Sequence, residues 1–559
     1  MLGVWGVLVL ALGWPTPSAL AHDESLYAAS AMVAADHPLA SQLGVDVLQA
    51  GGNAADAMVT VSLALGVVNP FSSGLGGGGF ALWRDATTGE VVVLDYREIA
   101  PAATHRDIYL VDGEPEGQLS RNGGLAVAVP TEAIGLYTFH ERFGRLPWRD
   151  VVEPARALAA DGFPAGSLLA MRLDQDTRVE QSPELFDLFR NPDGTFVTEG
   201  DLVTRPRLAT ALAILQEEGP EPFMRGAVAE DIVDAVSRSG GVMTMSDFDV
   251  YTPIWRQPVE ISYRGYTIYG MPLPSSGGLV TSHVLQFLAN FELSRLTYDD
   301  AMTVHTIAQA FAHAFADRAR WMGDDAFVDV DVDALIGPDR VERSVATFDP
   351  VRTLPAEMYG APYTTPDDDG TSHFSIIDAD GNAVACTTTI NTIFGSRVVT
   401  ETYGIILNNE MDDFAIAPGV PNAFGLIGSE ANAVEPHKRP LSSMSPTIVT
   451  RDNELIGALG ASGGPIIISA TILTLVRLID FNASAWDAVN GPRFHHMWTP
   501  PPLFVDEESP ESWLNHVEDF GYPLTIRTFG SAVQVVWRAP DGGWMAASDR
   551  RKHGAPAGY

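Results

Sequence analysis

The stretch Asp369-Gly370-Thr371-Ser372-His373-Phe374-Ser375-Ile376-Ile377 sets a hydroxyl residue at the junction between a loop and an apolar strand pattern. The loop, Pro350 to Gly370, carries four prolines and closes on Pro366-Asp367-Asp368-Asp369-Gly370, a composition that excludes helix and strand interiors. After it, Ser372–Ile377 and Ala383–Thr389 read as two strands around Asp378-Ala379-Asp380-Gly381-Asn382. Outward from this hairpin, helical and strand patterns alternate. Pro38–Gln49 predicts a helix stopped by Gly51-Gly52, and Ala54–Val68 a buried one, too short to span a bilayer. The segments 80–84 and 91–96 flank Thr87-Thr88-Gly89 as a hairpin, and 259–269 turns at Arg264-Gly265. The middle third is largely helical: 131–143, 148–161, 207–218, 227–238 and 302–321. Strands at 445–450 and 455–459 precede Gly463-Gly464 and a helix over 465–479. These patterns establish mixed α and β structure.

Composition narrows the function. The chain has 559 residues, 34 Lys+Arg against 71 Asp+Glu, a formal charge of −37 and one cysteine. Such acidity argues against binding a phosphate backbone or docking on an anionic membrane. A single cysteine, Cys386, excludes an intramolecular disulfide framework and a Cys-rich zinc site. Leu2 to Trp14 is an apolar run of 13 followed by Ala19-Leu20-Ala21. It reads as a secretory signal over residues 1–21, although its n-region lacks Lys and Arg. The expected location is periplasmic or secreted, without a membrane anchor.

Two motifs point elsewhere. Gly74-Leu75-Gly76-Gly77-Gly78-Gly79 matches G-x-G-x-x-G, but it enters a strand pattern instead of a helix, so close backbone packing is the expected role. Gly460-Ala461-Ser462-Gly463-Gly464 matches G-x-S-x-G between a strand and a helix, the context of a nucleophile elbow. With Asp480 or Asp487 and His495 or His496 downstream, it keeps an α/β-hydrolase reading open; the other reading is a turn whose backbone N–H groups face an oxyanion. His305 and His313 stand eight apart, outside the spacing of a helical metal pair, and no metal site is expected.

Thr387-Thr388-Thr389-Ile390-Asn391, Asn408-Asn409-Glu410-Met411-Asp412-Asp413 and Arg439-Pro440-Leu441-Ser442-Ser443 follow the junction. Together with Gly51-Gly52-Asn53-Ala54, Tyr96-Arg97-Glu98, Pro274-Ser275-Ser276-Gly277-Gly278, Ala316-Asp317-Arg318, Pro492-Arg493-Phe494-His495-His496 and Ala557-Gly558-Tyr559, they resemble the γ-glutamyltranspeptidase (glutathione hydrolase) family of N-terminal nucleophile hydrolases. The resemblance runs from about Ala34 to the carboxyl terminus.

It implies an α+β fold, the four-layer αββα sandwich, with one domain formed by two autoprocessed chains: a large subunit, 22–370, and a small subunit, 371–559. The cut would fall between Gly370 and Thr371 and free the α-amine of Thr371. An α-amine titrates near 7.7–8.0, so one residue can supply nucleophile and base. Ser372 is the rival nucleophile, set aside only by the family register. By resemblance, Thr389 orients Thr371, and Gly463 and Gly464 present N–H groups to the oxyanion. Arg97, Ser442 and Ser443 hold the substrate α-carboxylate; Asn391, Glu410 and Asp413 hold its α-ammonium. Phe424, in the lid loop 418–424, stands where bacterial relatives often carry Tyr. It can cover the pocket but cannot donate a phenolic hydrogen bond. Thr131 stands where many relatives have Gly, and Pro465 suits the first turn of a helix. The expected substrates are glutathione and other γ-glutamyl compounds, with water, amino acids or dipeptides as acceptors and no cofactor. An acylase or poly-γ-glutamate hydrolase on the same fold is the alternative, and a non-catalytic exported binding protein a further one.

Overall fold

Strands Ser372–Ile377 and Ala383–Thr389 pair antiparallel in the middle of a seven-stranded sheet, and every residue of both is buried. A computed structural model describes residues 24–176, 181–359, 370–417, 419–426, 428–499 and 502–559. The expected signal segment 1–21 and the loop from 360 to Asp369 lie outside them.

The central hairpin is flanked on one side by Met32–Ala35 and Ala557–Gly558. On the other side stand Gly78–Arg84, Val91–Tyr96 and Ile254–Arg256. A second antiparallel sheet of seven runs Leu26–Ala28, Trp544–Ser548, Ala532–Arg538, Glu454–Ser462, Thr447–Arg451, Tyr266–Gly270, Val259–Tyr263. The sheets pack face to face, with 372–377 against 454–462 and 532–538. Helices Pro38–Gln49, Ala54–Val68 and Glu132–Phe143 cover the first sheet; Gly277–Leu288, Ile466–Ile479 and Ala485–Asn490 cover the second. This is the αββα sandwich. With a layer on both faces, the central strands have no solvent side, which explains why they alternate only weakly in polarity.

Local chemistry fixes the helix ends. Asn53 Oδ1 accepts the N–H groups of Ala55 and Asp56 while Asp56 accepts the N–H of Asn53, a reciprocal cap on a helix whose 15 residues are all buried. Pro465 precedes Ile466–Ile479, where its missing N–H costs nothing. The glycine run packs as expected: a Cβ on Gly76 or Gly77 would run into the carbonyl of Ile406 or Thr389. His305, His313 and His495 are held inside by Tyr522 and the Asp349 carbonyl, by Thr347 and by Ser469. Among the described residues, no helix is long and apolar enough to cross a membrane.

Both sides of the Gly370–Thr371 junction contribute to each sheet. Phe374 pairs with Ala35 and Cys386 with Ala81, so buried registers tie the segment after the junction to strands from before it.

Candidate active site

Register brings the two threonines together. Ser372 pairs with Thr388, so the next rung sets Thr371 against Thr389, and their hydroxyl oxygens lie 3.0 Å apart. Thr389 Oγ1 also accepts the N–H of Asn391 at 2.7 Å, which fixes that hydroxyl beside Thr371. Thr371 is buried and has φ +83°, a left-handed conformation strained for a β-branched residue. The rival is placed elsewhere: Ser372 Oγ meets Ser73 Oγ at 3.2 Å and is not among the side chains lining the pocket beside Thr371.

That pocket gathers Arg97, Asn391, Glu410, Asp413, Ser442 and Ser443 with Thr371 and Thr389. Gly464 and Phe424 also line it. Gly463 and Gly464 have φ +110° and +55°, which glycine adopts without a Cβ penalty, and lie between strand Glu454–Ser462 and helix Ile466–Ile479. Among the described residues neither of their N–H groups donates to a backbone acceptor; Gly464 lines the pocket and Gly463 is not among its lining residues. Gly463 packs on Ser531 and Gly464 under the ring of Phe424. Ser462 is not in the pocket; it is fully buried and directs its hydroxyl at the Ala532 carbonyl, 3.4 Å away. The nucleophile-elbow reading therefore fails on placement.

The charged end of the pocket centres on Arg97, 1% exposed. Its guanidinium bonds Glu410 through one nitrogen and Asp413 through another, and Glu98 stands 3.7 Å away. Three carboxyls thus share one cation, Glu98 and Glu410 buried and Asp413 partly exposed. Neither oxygen of Glu98 has a hydrogen-bond partner among the described residues. Burial pushes its carboxyl well above the usual range, the nearby Glu410 pushes the same way, and Arg97 opposes them. Burial also raises Glu410 and Asp413, while Arg97 opposes it in both; the direct ion pairs keep Arg97 charged. The pocket thus sets a cation and carboxylates side by side, the charge complement of a zwitterion.

Two hydroxyls, Ser442 and Ser443, line the same pocket. Ser442 Oγ accepts the N–H of Met444 at 3.1 Å, and Ser443 Oγ accepts from Arg318 at 3.2 Å. Each keeps its own proton to give to a ligand. Asn391 donates through Nδ2 to the Asn409 carbonyl at 2.9 Å, which leaves Oδ1 as the acceptor. Phe424 caps the pocket, 5% exposed. Its loop is tied down by the Ala423 N–H to Asp412 at 2.7 Å and by Asn422 to Asp413 at 3.5 Å.

Sequence reasoning missed three supporting residues. Arg318 is buried, binds Ser276 at 2.8 Å as well as Ser443, and is pushed down to about 10 by burial. Asp412 anchors the lid, and burial raises it to about 6. Lys552 donates to the carbonyl of Thr371. Arg318 lies within Ala316-Asp317-Arg318, and Lys552 ends the basic run Arg550-Arg551-Lys552, where nothing local separates it from its neighbours. A separate cavity of about 950 Å³, lined by Asp317, Arg320 and Arg343 among others, borders the lid loop at Gly419 and Gly428 but holds none of the assigned groups.

A family model described as gamma-glutamyltranspeptidase matches residues 40–559. The glutathione hydrolase proenzyme of Escherichia coli strain K12 is 38% identical over 526 residues, covering 93% of this chain and 90% of that protein. Among solved structures, cephalosporin acylase from Bacillus halodurans superposes with a TM-score of 0.86 at 26% identity, over 99% of both chains. A chain of Helicobacter pylori gamma-glutamyltranspeptidase gives 0.55 at 36% identity, over 57% of this chain and 92% of its own.

Proposed function

This chain belongs to the γ-glutamyltranspeptidase family, and on that basis we propose that Thr371 is its nucleophile, released by cleavage of the Gly370–Thr371 bond. The protein is a γ-glutamyltransferase and glutathione hydrolase that processes itself. In the first reaction Thr371 Oγ attacks the Gly370 carbonyl, the C–N bond breaks as the nitrogen gains a proton, and an ester links Gly370 to Oγ. Water then hydrolyses it, leaving a Gly370 carboxylate and a free Thr371 α-amine. Cleavage removes the neighbour that makes φ +83° unfavourable, so the strain at Thr371 favours the forward direction.

In turnover the α-amine takes the hydroxyl proton and Oγ attacks the γ-carbonyl. The Gly463 and Gly464 N–H groups receive the oxyanion, and the proton passes to the departing amine. A γ-glutamyl ester remains, which water or an acceptor amine resolves. Arg97, Ser442 and Ser443 hold the α-carboxylate; Asn391, Glu410 and Asp413 hold the ammonium. The observation that carries this reading is the hydroxyl pair Thr371–Thr389 opening on the same pocket as the Arg97–Glu410–Asp413 ion pair.

The two pieces stay together as a heterodimer through their shared sheets, and the apolar leader directs the protein to the periplasm or outside the cell. The likeness to a cephalosporin acylase favours a second reading, deacylation of another substrate, such as one with a glutaryl side chain. A glutaryl group lacks the ammonium, and binding it would strand Glu410 and Asp413, so the γ-glutamyl reading stands first. The discriminating experiment compares rates on glutathione, γ-glutamyl anilide, glutaryl anilide and poly-γ-glutamate, with and without a dipeptide acceptor. Fastest turnover of γ-glutamyl anilide and glutathione is expected; preference for glutaryl anilide would overturn the assignment.

A further inference from the structure

The 3₁₀ turn Arg550–Lys552 lies near the carboxyl terminus, yet its last side chain reaches the nucleophile. The turn is pinned hard. Asp549 accepts the N–H of Arg551 at 3.0 Å, Arg493 bonds Asp549, and Arg551 pairs with Asp506 at 2.6 Å. So fixed, the chain directs Lys552, 3% exposed, inward. Its Nζ donates to the carbonyl of Thr371 and lies 3.4 Å from both Asp36 Oδ2 and Ser72 Oγ. Asp36 is buried and receives Gln534 Nε2 at 2.6 Å and the His373 N–H at 3.4 Å. Burial pushes its carboxyl up and Lys552 and Gln534 pull it down; with every neighbour a donor, the carboxylate is the form these contacts fit.

From this geometry we propose that Lys552 is a positioning residue for the nucleophile, holding Thr371 by its carbonyl while Thr389 holds it by its hydroxyl. The inference rests on the assignment of Thr371 made above. Once the Gly370–Thr371 bond is cut, Thr371 is a chain terminus that precedes the first strand residue. Two anchors at opposite ends of the residue keep it from rotating out of line, and placement within fractions of an ångström governs nucleophilic rates. The ammonium of Lys552, bonded to the carbonyl of Thr371, is also held by the same residue that carries the new α-amine. A like charge there favours the unprotonated amine, the form that can accept the hydroxyl proton. Asp36 beneath it tempers that effect.

The other ionisable groups around Thr371 are Arg97, Glu410 and Asp413 across the pocket. His373 lies between the sheets against Gly460, its Nδ1 2.8 Å from Thr387 Oγ1; burial lowers it to about 3 and it stays neutral.

The test uses the processed full-length protein and starts with amino-terminal sequencing of its small chain. A terminus other than Thr371 refutes the nucleophile assignment itself, independently of Lys552. With that terminus established, Lys552→Met is expected to lower kcat about tenfold or more while KM stays within about threefold. The acid limb of kcat/KM should move up by about one pH unit, because the amine then loses its neighbouring cation. Lys552→Arg should restore the limb in part. Asp36→Asn should move the same limb down, since it removes the tempering charge; loosened packing alone does not give opposite shifts. If Lys552→Met stays uncut or unfolded, Asp36→Asn carries the test alone. Wild-type kcat and pH profile in Lys552→Met, or an unmoved or upward limb in Asp36→Asn, would overturn the inference.

Discussion

Replacing Arg97 by alanine takes from Glu98, Glu410 and Asp413 the cation they share, leaving Asp413 only the pull of Arg318. Two effects follow for a γ-glutamyl substrate. Its α-carboxylate loses a charge-assisted partner, and without Arg97 the carboxyls of Glu410 and Asp413 rise further and take up protons, so the α-ammonium loses its partners too. Hydrogen bonds to charged groups contribute about 1.5–3 kcal/mol each, so the pair amounts to roughly 3–6 kcal/mol. At about 1.4 kcal/mol per decade, KM should rise by roughly two to four orders of magnitude. The signature is in the pH dependence. In Arg97→Ala, KM should fall as pH rises from about 6 to 8.5, because the two carboxyls ionise again only at higher pH. The wild-type protein should show a smaller fall, because Arg97 opposes the burial that raises Glu410 to about 8. Autocleavage should persist, since no contact of Arg97 involves Gly370 or Thr371. The assay is steady-state hydrolysis of γ-glutamyl anilide across that range, with a denaturing gel as the control for cleavage. A KM within about threefold of wild type, or an uncut chain, would refute the charge account.

Other perturbations separate parts of the site. Thr389→Val keeps the shape but strands the Asn391 N–H and unpairs the Thr371 hydroxyl, a penalty of about 1–3 kcal/mol. Stopped-time gels and kinetics should show slower autocleavage and a ten- to hundredfold lower kcat, roughly, with KM kept. Gly464→Ala puts a Cβ against the Phe424 ring at a residue with φ +55°; kcat should fall by about tenfold or more while the protein still folds and cleaves. Glu132 tests stability. Burial raises it to about 7, against hydrogen bonds from Ser62 and Thr388 that pull it down. The folded protein therefore binds a proton that the unfolded chain releases near 4.5, and stability is lost as pH rises through about 7, by roughly 3 kcal/mol. In thermal melts, Glu132→Gln should gain on wild type between about pH 5 and 8; a constant difference would contradict this.

Much of the scaffold was readable because local signals agreed with tertiary ones. Gly51-Gly52 does end the helix Pro38–Gln49, and the β-rich runs 372–377 and 383–389 are the central strands. Where local and tertiary signals differed, the tertiary one won. Gly460-Ala461-Ser462 reads as a turn, yet it extends the strand Glu454–Ser462 by pairing with Ala532, Val533 and Gln534. The threonine and glycine positions of the site were legible from family motifs, and their proximity follows from strand register. Two features were not. The engagement of Arg97 with Glu410 and Asp413 depends on a fold that brings residues 313 and 316 apart in sequence together. Lys552 meets Thr371 across 181 residues, and nothing in an arginine- and lysine-bearing tail marks one side chain as buried. Burial of single charges is a property of the assembled layers, not of any local pattern.

The central claim is that this chain makes its own nucleophile by cutting before Thr371. Amino-terminal sequencing and intact mass of the purified protein test it most directly. The account predicts two chains of about 37 and 20 kDa, the smaller beginning Thr-Ser-His-Phe. It also predicts a single uncut chain for Thr371→Ala. An uncut wild-type protein that hydrolyses γ-glutamyl anilide, or a small chain beginning at Ser372, would contradict it.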